Sequence, residues 1–349
     1  MELHILMGRA CAGKSRRVLE QIAARRSERG QVLLVPEHAS HEAELDLCRV
    51  CGPTASRDAE VLSFRSLATR VLSRTGGLAD VTLDAGGKLL TMRRALQEVS
   101  GRLTVFARPS QRPAFLRQLV ALADELYAYQ VRPETLLRQV EDIPGAAGDK
   151  LRSAALVFAA YDARLHGSGF DVRSRVQKLC DALPEDDYLA GKDVYVDGFS
   201  YFNRVEEDIL TTVLHQAHSL TVTLLGDMHE AQLFQNAIGQ RYRLERMAKD
   251  NSAYCEVEHL VGTSGTALGH LERHCFGETE VWHGGEVPIR LYQANTAFSE
   301  VEYVSSQLRR LARQGVRWRD MGVAARNMEV YGPLLEAVFR RDDIPAYIS

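Results

Sequence analysis

The sequence has no excess of positive charge. Its 43 lysines and arginines stand against 46 aspartates and glutamates, for a net charge of −3. No global field draws a polyanion, and any nucleic-acid contact has to come from a local basic face. No apolar run approaches the roughly 18 residues of a membrane-spanning helix. No secretory leader is expected, because the first strand is predicted to start at once, and the expected location is the cytoplasm. Cysteine is thin and scattered, at Cys11, Cys48, Cys51, Cys180, Cys255 and Cys275. Cys48 and Cys51 make a lone C-x-x-C without a second pair or a histidine pair at ligand spacing. They read as two half-buried thiols at a helix end rather than half of a metal or redox site. His274-Cys275 and His283 complete no ligand set either. What remains, 45% hydrophobic and 26% charged over 349 residues, is an ordinary globular composition with length for two or three domains.

What is present begins at Gly8-Arg9-Ala10-Cys11-Ala12-Gly13-Lys14-Ser15, which satisfies G-x-x-x-x-G-K-[S/T]. The apolar run Leu3–Met7 precedes it, and Val18, Leu19 and Ile22 follow at helical spacing. That strand–loop–helix context is what a phosphate-binding loop needs: backbone N–H groups wrap the phosphates and the helix aims its positive end at them. Gly8 and Gly13 leave room for φ > 0 and for close backbone approach. Lys14 is expected to reach the β- and γ-phosphates and Ser15 to take a place on Mg²⁺. All eight residues, Gly8, Arg9, Ala10, Cys11, Ala12, Gly13, Lys14 and Ser15, are candidate nucleotide ligands.

Strands and helices then alternate. Gln31–Pro36 and Val61–Phe64 read as strands, with a helix through Leu47 and another over Ser66–Ser73, the pattern of an α/β domain with a parallel sheet. From about Leu78 to Leu183 strands give way to helical periodicity, over Lys88–Val99, Pro113–Tyr129, Pro133–Val140 and Leu151–His166, with Pro144–Gly148 as a loop. Strands resume at Asp193–Val196 and Thr221–Leu225, so the helices read as an insertion within the sheet domain. Arg102, Arg108, Arg112 and Arg117 near the insertion's second helix form either a phosphate-tracking face or a solvated surface. Residues 245–285 are weakly patterned, and Glu280–Pro288 reads as a linker. A new unit follows: strand Ile289–Gln293, a helix over Ser299–Gln314 opened by a Ser299/Glu302 capping box, strand Gly322–Ala325, and helix Tyr331–Arg341. It looks incomplete.

Val194-Tyr195-Val196-Asp197 has the shape of a Walker B element, and Asp197 is expected to hold Mg²⁺ through its water shell together with Ser15. The next position, where a hydrolytic carboxylate belongs, is Gly198; Glu206 and Glu207 come two helical turns too late. That asymmetry favours binding over turnover. Asp227, closing the next strand, either senses the γ-phosphate or caps a turn. Arg326 is the candidate arginine of the second unit. Asp197, Asp227 and Arg326 are the weak catalytic candidates. An active motor would also need an upstream glutamine element and a complete second domain, and a small-molecule P-loop kinase would need neither the helical insertion nor the second unit.

Gly8–Ser15, Val35-Pro36-Glu37 with Glu44, Ser63-Phe64 with Leu67-Ala68 and Arg70-Val71-Leu72, Val196-Asp197-Gly198-Phe199 with Phe202, Asn295 with Glu300 and Glu302, Asp320 through Arg326, Tyr331 and Ile344-Pro345 carry a resemblance over the whole chain. In this order it resembles the UvrD-like superfamily 1 helicase core. More closely it is similar to the amino-terminal part of the AddB/RexB family, the second component of the bacterial helicase–nuclease that processes double-strand breaks. The resemblance implies an α/β fold with a RecA-like P-loop parallel sheet over 1–77 and 184–280 (1A-like). It also implies an all-helical insertion over 78–183 (1B-like) and the start of a second RecA-like domain over 286–349 (2A-like). It implies ATP with Mg²⁺, weak or no hydrolysis, DNA (especially single strand) as a partner, an AddA-type helicase–nuclease subunit as the other, and, in many members, Chi recognition. Glu37, His38, Ser40, Phe64, Ser66 and Thr69 fall where the family faces the strand. Phe64 there is an aromatic for base stacking, worth roughly 1–3 kcal/mol, while Ser66 and Thr69 replace an arginine and a tryptophan of some relatives. The family's nuclease and the cysteine ligands of its 4Fe–4S cluster would lie beyond Ser349, making this chain a nuclease-less fragment or truncated product.

Overall fold

β1 (Glu2–Gly8) is apolar on both faces: Leu3, Ile5 and Met7 turn to one side and Leu6 to the other. A strand of that kind is stable only in a sheet covered by helices on two sides. The computed structural model describes residues 1–25, 30–76, 78, 83–106, 112–129, 131–140, 143–167, 175–262, 265–276 and 280–348. In it β1 pairs with β5 (Ser219–Leu225) on one flank and β6 (Tyr254–Leu260) on the other. With β2 (Gln31–Leu34), β3 (Glu60–Leu62) and β4 (Asp193–Val196) they form a six-stranded, all-parallel sheet of order β3-β2-β4-β5-β1-β6. From β2 the chain continues to β3 on one side, and from its neighbour β4 to β5 on the other, the arrangement in which α/β sheets open a crevice at their carboxyl ends.

α1 (Lys14–Ala24) and α2 (Ser40–Cys51) cover one face, where Leu6, Val18, Leu19, Ile22, Leu33, Leu47 and Tyr195 form a core. α3 (Phe64–Thr75) opens the other face. Next come α4 (Ala85–Val99), α5 (Pro113–Ala128), α6 (Pro133–Val140) and α7 (Gly145–Gly167). Met92, Leu96, Phe106, Leu116, Leu119, Phe158 and Tyr161 of this stretch make a core of their own. α8 (Arg175–Ala182), α9 (Arg204–Gln216) and α10 (Gln235–Asp250) return to the α3 face over Leu3, Ile5, Met7, Val194 and Val196. Each fully buried leucine, valine or isoleucine there stabilises the fold by about 1.5–3 kcal/mol. Among the described residues no helix is long and apolar enough to cross a membrane.

Two compact units result: Met1–Ser264 with Glu272–Thr279, and Gly265–Leu271 with Glu280–Ser349. Helix α11 (Ala267–His274) runs through the changeover. Within the second unit α12 (Ala297–Arg313) and α13 (Met328–Arg341) pack through Val301, Leu308, Leu335, Val338 and Phe339.

Several sequence expectations are corrected. Ser63 caps α3, which begins at Phe64, so the predicted Val61–Phe64 strand stops at Leu62. Pro144–Gly148 is not a loop throughout: α7 starts at Gly145, and a Cβ at Gly148 would sit 1.8 Å from the Ile143 carbonyl oxygen. β6 lies inside the stretch read as weakly patterned. Ile289–Gln293 and Gly322–Ala325 form no strand pairing among the described residues. The capping box of α12 belongs to Thr296 and Ser299, not Ser299 and Glu302.

Candidate functional site

The chain leaves β1 at Gly8 under tight restraint. A Cβ there would meet the Leu260 carbonyl oxygen at 2.7 Å and the Ala12 Cβ at 2.9 Å, so only glycine lets the loop pass between β6 and its own turn. The Gly8 carbonyl accepts the Gly226 N–H at 3.1 Å, tying the loop to the end of β5. Ala12 N–H bonds back to the Arg9 carbonyl at 3.3 Å, Cys11 takes φ 57° and Gly13 φ 87°, and α1 starts at Lys14. Gly13 caps α1 without a side chain, which leaves the first N–H groups of the helix to an anion.

Lys14 reaches back across the loop: Nζ donates to the carbonyls of Gly8 at 2.8 Å and Arg9 at 2.7 Å. An ammonium has three donors, so one remains for a ligand. Burial pulls this lysine below its ordinary range, against the opposing charges of Asp197 and Glu272. A half-buried cation among carboxylates binds a polyanion well, because its own hydration is already partly lost.

Asp197 closes β4, held there by its N–H donating to the Leu34 carbonyl at 2.9 Å and its carboxylate accepting the Thr223 hydroxyl. Ser15, in the first turn of α1, and Asp197 line the same cavity of about 290 Å³, with Gly198, Glu42 and Asp46 beside them over an apolar floor of Val18, Leu19, Leu33 and Val35. A hydroxyl and a carboxylate converging from two elements are hard oxygen donors of the kind Mg²⁺ takes. Gly198 itself has φ 82°. Asp227 caps the turn after β5, accepting the His229 N–H at 2.9 Å, and its other oxygen stands 3.5 Å from the Arg9 guanidinium. Arg326 is exposed in the second unit, one residue before the Asn327 cap of α13.

The residues expected to face DNA separate into two groups. Glu37 and His38 are exposed on the short turn after β2, and Ser40 opens α2. Phe64, by contrast, is 5% exposed and packs edge-to-face on Phe199, with ring centroids 5.3 Å apart. It is a core residue, and the expectation that a base stacks on it is corrected. The Ser66 hydroxyl is engaged in the α3 capping box with Ser63, and the Thr69 hydroxyl donates to the Arg65 carbonyl at 3.1 Å. The sequence reading passed over Arg65, an exposed guanidinium 3.7 Å from Glu37, whose signal was a cation at the first turn of the helix after β3. It also passed over Glu272, which reaches the loop from far along the chain and carries no local signal. Arg102, Arg112 and Arg117 are exposed, and Arg108 lies outside the described residues. Cys48 is exposed and Cys51, the last residue of α2, is buried.

Residues 5–272 match the family described as ADDB, N-terminal. Three proteins, each named as the B subunit of an ATP-dependent helicase/deoxyribonuclease, are similar along this chain's full length. That of Moorella thermoacetica is 34% identical over 100% of this chain and 32% of its own length. Those of Desulforudis audaxviator and Geobacillus thermodenitrificans are 33% and 29% identical, each over 100% of this chain and 32% of theirs. The chain therefore spans about a third of the length of these relatives. With the Gly8–Ser15 loop, β4 and all of the parallel sheet but the first residues of β1 inside the matched stretch, this chain belongs to the AddB amino-terminal family.

Proposed function

We propose that this chain is the ATP-binding and DNA-contacting amino-terminal portion of the B subunit of a cytoplasmic ATP-dependent helicase/deoxyribonuclease, working beside an AddA-type partner in double-strand-break repair. The scaffold is of the UvrD-like superfamily 1 type. Residues 1–77 and 184–280 make the RecA-like 1A part, 78–183 the 1B-like insertion and 286–349 the start of a 2A-like part. The observation that carries the reading is the Gly8–Ser15 loop at the end of β1, with Lys14 bridging two loop carbonyls and Ser15 and Asp197 on one cavity. Gly8 to Ser15 would bind the phosphates, and Ser15 and Asp197 would hold Mg²⁺, which supplies charge neutralisation on the phosphate oxygens. Asp197 is kept in place by Thr223, and Lys14 keeps one donor toward the ligand.

Turnover needs a group that orients or deprotonates water, and the position after Asp197 offers only a glycine. Binding with slow or no hydrolysis follows. Single-stranded DNA would run over the turn and helix starts near Glu37, His38, Ser40 and Arg65, with Ser66 and Thr69 on the same helix. The second reading is an active DNA-dependent ATPase motor, favoured by the phosphate loop and Asp197 alone. Phosphate release with and without single-stranded DNA separates the two. The proposal expects bound nucleotide and no DNA-stimulated release, together with DNA binding that weakens linearly with the logarithm of salt. Release stimulated by DNA and abolished in Lys14→Ala would establish the motor, and DNA binding without a salt slope would contradict the phosphate contacts.

A further inference from the structure

Arg9 belongs to the phosphate loop by sequence, yet its side chain leaves the loop. Its Nε donates to Glu272 Oε1 at 2.9 Å and one Nη to the Glu272 carbonyl at 2.9 Å. The other Nη stands 3.5 Å from Asp227, and the guanidinium lies over the Phe234 ring, 5.4 Å from its centroid. The side chain is only 14% exposed. The backbone of the same residue is fastened on the opposite side, where the Arg9 carbonyl accepts the Lys14 ammonium at 2.7 Å. One residue therefore joins two parts of the first unit: the lysine that receives phosphate and the stretch Glu272–Thr279, which groups with that unit although its sequence neighbours on both sides group with the other.

Arginine is suited to this. Its planar fork bonds the Glu272 side chain and carbonyl at once while a third edge meets Asp227, which lysine's point charge does not reproduce. The pairing is partly buried, so it is screened less than the surface pairs elsewhere on the molecule.

We propose that the Arg9–Glu272 pair is a positioning clamp that couples nucleotide occupancy of the phosphate loop to the order of residues 272–276. This rests on the nucleotide-binding reading above. The clamp fixes the Arg9 backbone, so that Gly8 and Arg9 present their carbonyls to Lys14 and the loop is pre-shaped before the phosphates arrive. A loop that must be ordered on binding loses affinity to that ordering. By linkage, whatever the clamp does for nucleotide the nucleotide does for the clamp, so occupancy steadies the helix end that carries Glu272.

The test is amide hydrogen exchange on the whole chain with and without Mg·ATP, alongside nucleotide titration of the same samples. Wild type is expected to bind Mg·ATP and to show slower exchange over 272–276 on binding. Glu272→Gln and Arg9→Lys are each expected to weaken binding roughly tenfold, the equivalent of about 1.4 kcal/mol, and to erase the nucleotide-dependent slowing there. Asn203→Ala, which removes the cap of α9 away from the clamp, lowers thermal stability and is expected to keep both the affinity and the slowing, so general destabilisation is told apart from coupling. If wild type binds Mg·ATP but exchange over 272–276 does not change, or if Glu272→Gln matches wild type in both readouts, the clamp is wrong and the nucleotide site stands. If wild type binds no Mg·ATP, both fall.

Discussion

At Gly198 the backbone takes φ 82°, and a Cβ there would lie 3.4 Å from the ring of Pro36. A glutamate at this place would be strained before its carboxylate reached any water. The lack of a carboxylate at this position is thus a property of the backbone as well as of one side chain. Gly198→Glu is expected to leave ATP turnover at its wild-type level, read by phosphate release; a gain in turnover would show that the turn relaxes easily. Lys14 gives a pH signature. Its pKa is lowered, chiefly by burial, so the ammonium loses its proton at lower pH than an ordinary lysine. Nucleotide affinity is expected to hold steady where the lysine is charged and to fall as pH rises through that depressed value, before the 10.5 of an unperturbed lysine. Affinity measured across neutral to strongly alkaline pH checks this, and a flat profile to the ordinary lysine value would remove Lys14 from the phosphates.

Single elements show what local chemistry decides. The Ser63 hydroxyl accepts the Ser66 N–H at 3.1 Å while the Ser66 hydroxyl accepts the Ser63 N–H at 2.8 Å, a reciprocal box that starts α3. Ser63→Ala is expected to cost about 1 kcal/mol of stability, read by denaturant unfolding; no loss would mean that packing of Leu67 and Val71 alone sets the helix start. Much of this was legible beforehand. Asp193–Val196 and Pro133–Val140 come out with the bounds read from the sequence, because a Val-Tyr-Val run and a proline-opened amphipathic turn are strong local signals. β6 was not legible: as an edge strand it carries Glu256, Glu258 and His259 on its partly exposed sides, which breaks the apolar pattern. Phe64 misled in the opposite sense. An aromatic in a motif that faces a ligand is indistinguishable by sequence from one that packs under it, and here Phe199 and the sheet claim it. Ile289–Gln293 and Gly322–Ala325 have strand-like composition, but a strand also needs a partner for its backbone, and composition is silent on that. The strand–loop–helix placement of Gly8–Ser15 was legible in full, whereas the contact between Arg9 and Glu272 spans 263 positions and leaves no periodic trace.

For the molecule as a whole, a net charge of −3 gives no general attraction to DNA, so the proposed binding of nucleotide and of DNA would depend on local geometry at the carboxyl ends of one parallel sheet. The family match over residues 5–272 includes that sheet and its loop, and the relatives extend to about three times the length matched here, 32% of each being covered. The question local to this chain is whether its Gly8–Ser15 loop holds a nucleotide. Calorimetric titration of Mg·ATP into the wild-type chain and into Lys14→Ala measures that directly. Saturable binding at a single site, weakened roughly ten- to a hundredfold by the loss of one charged hydrogen-bond donor, is the predicted result. No binding to wild type, or equal binding to both, would contradict it.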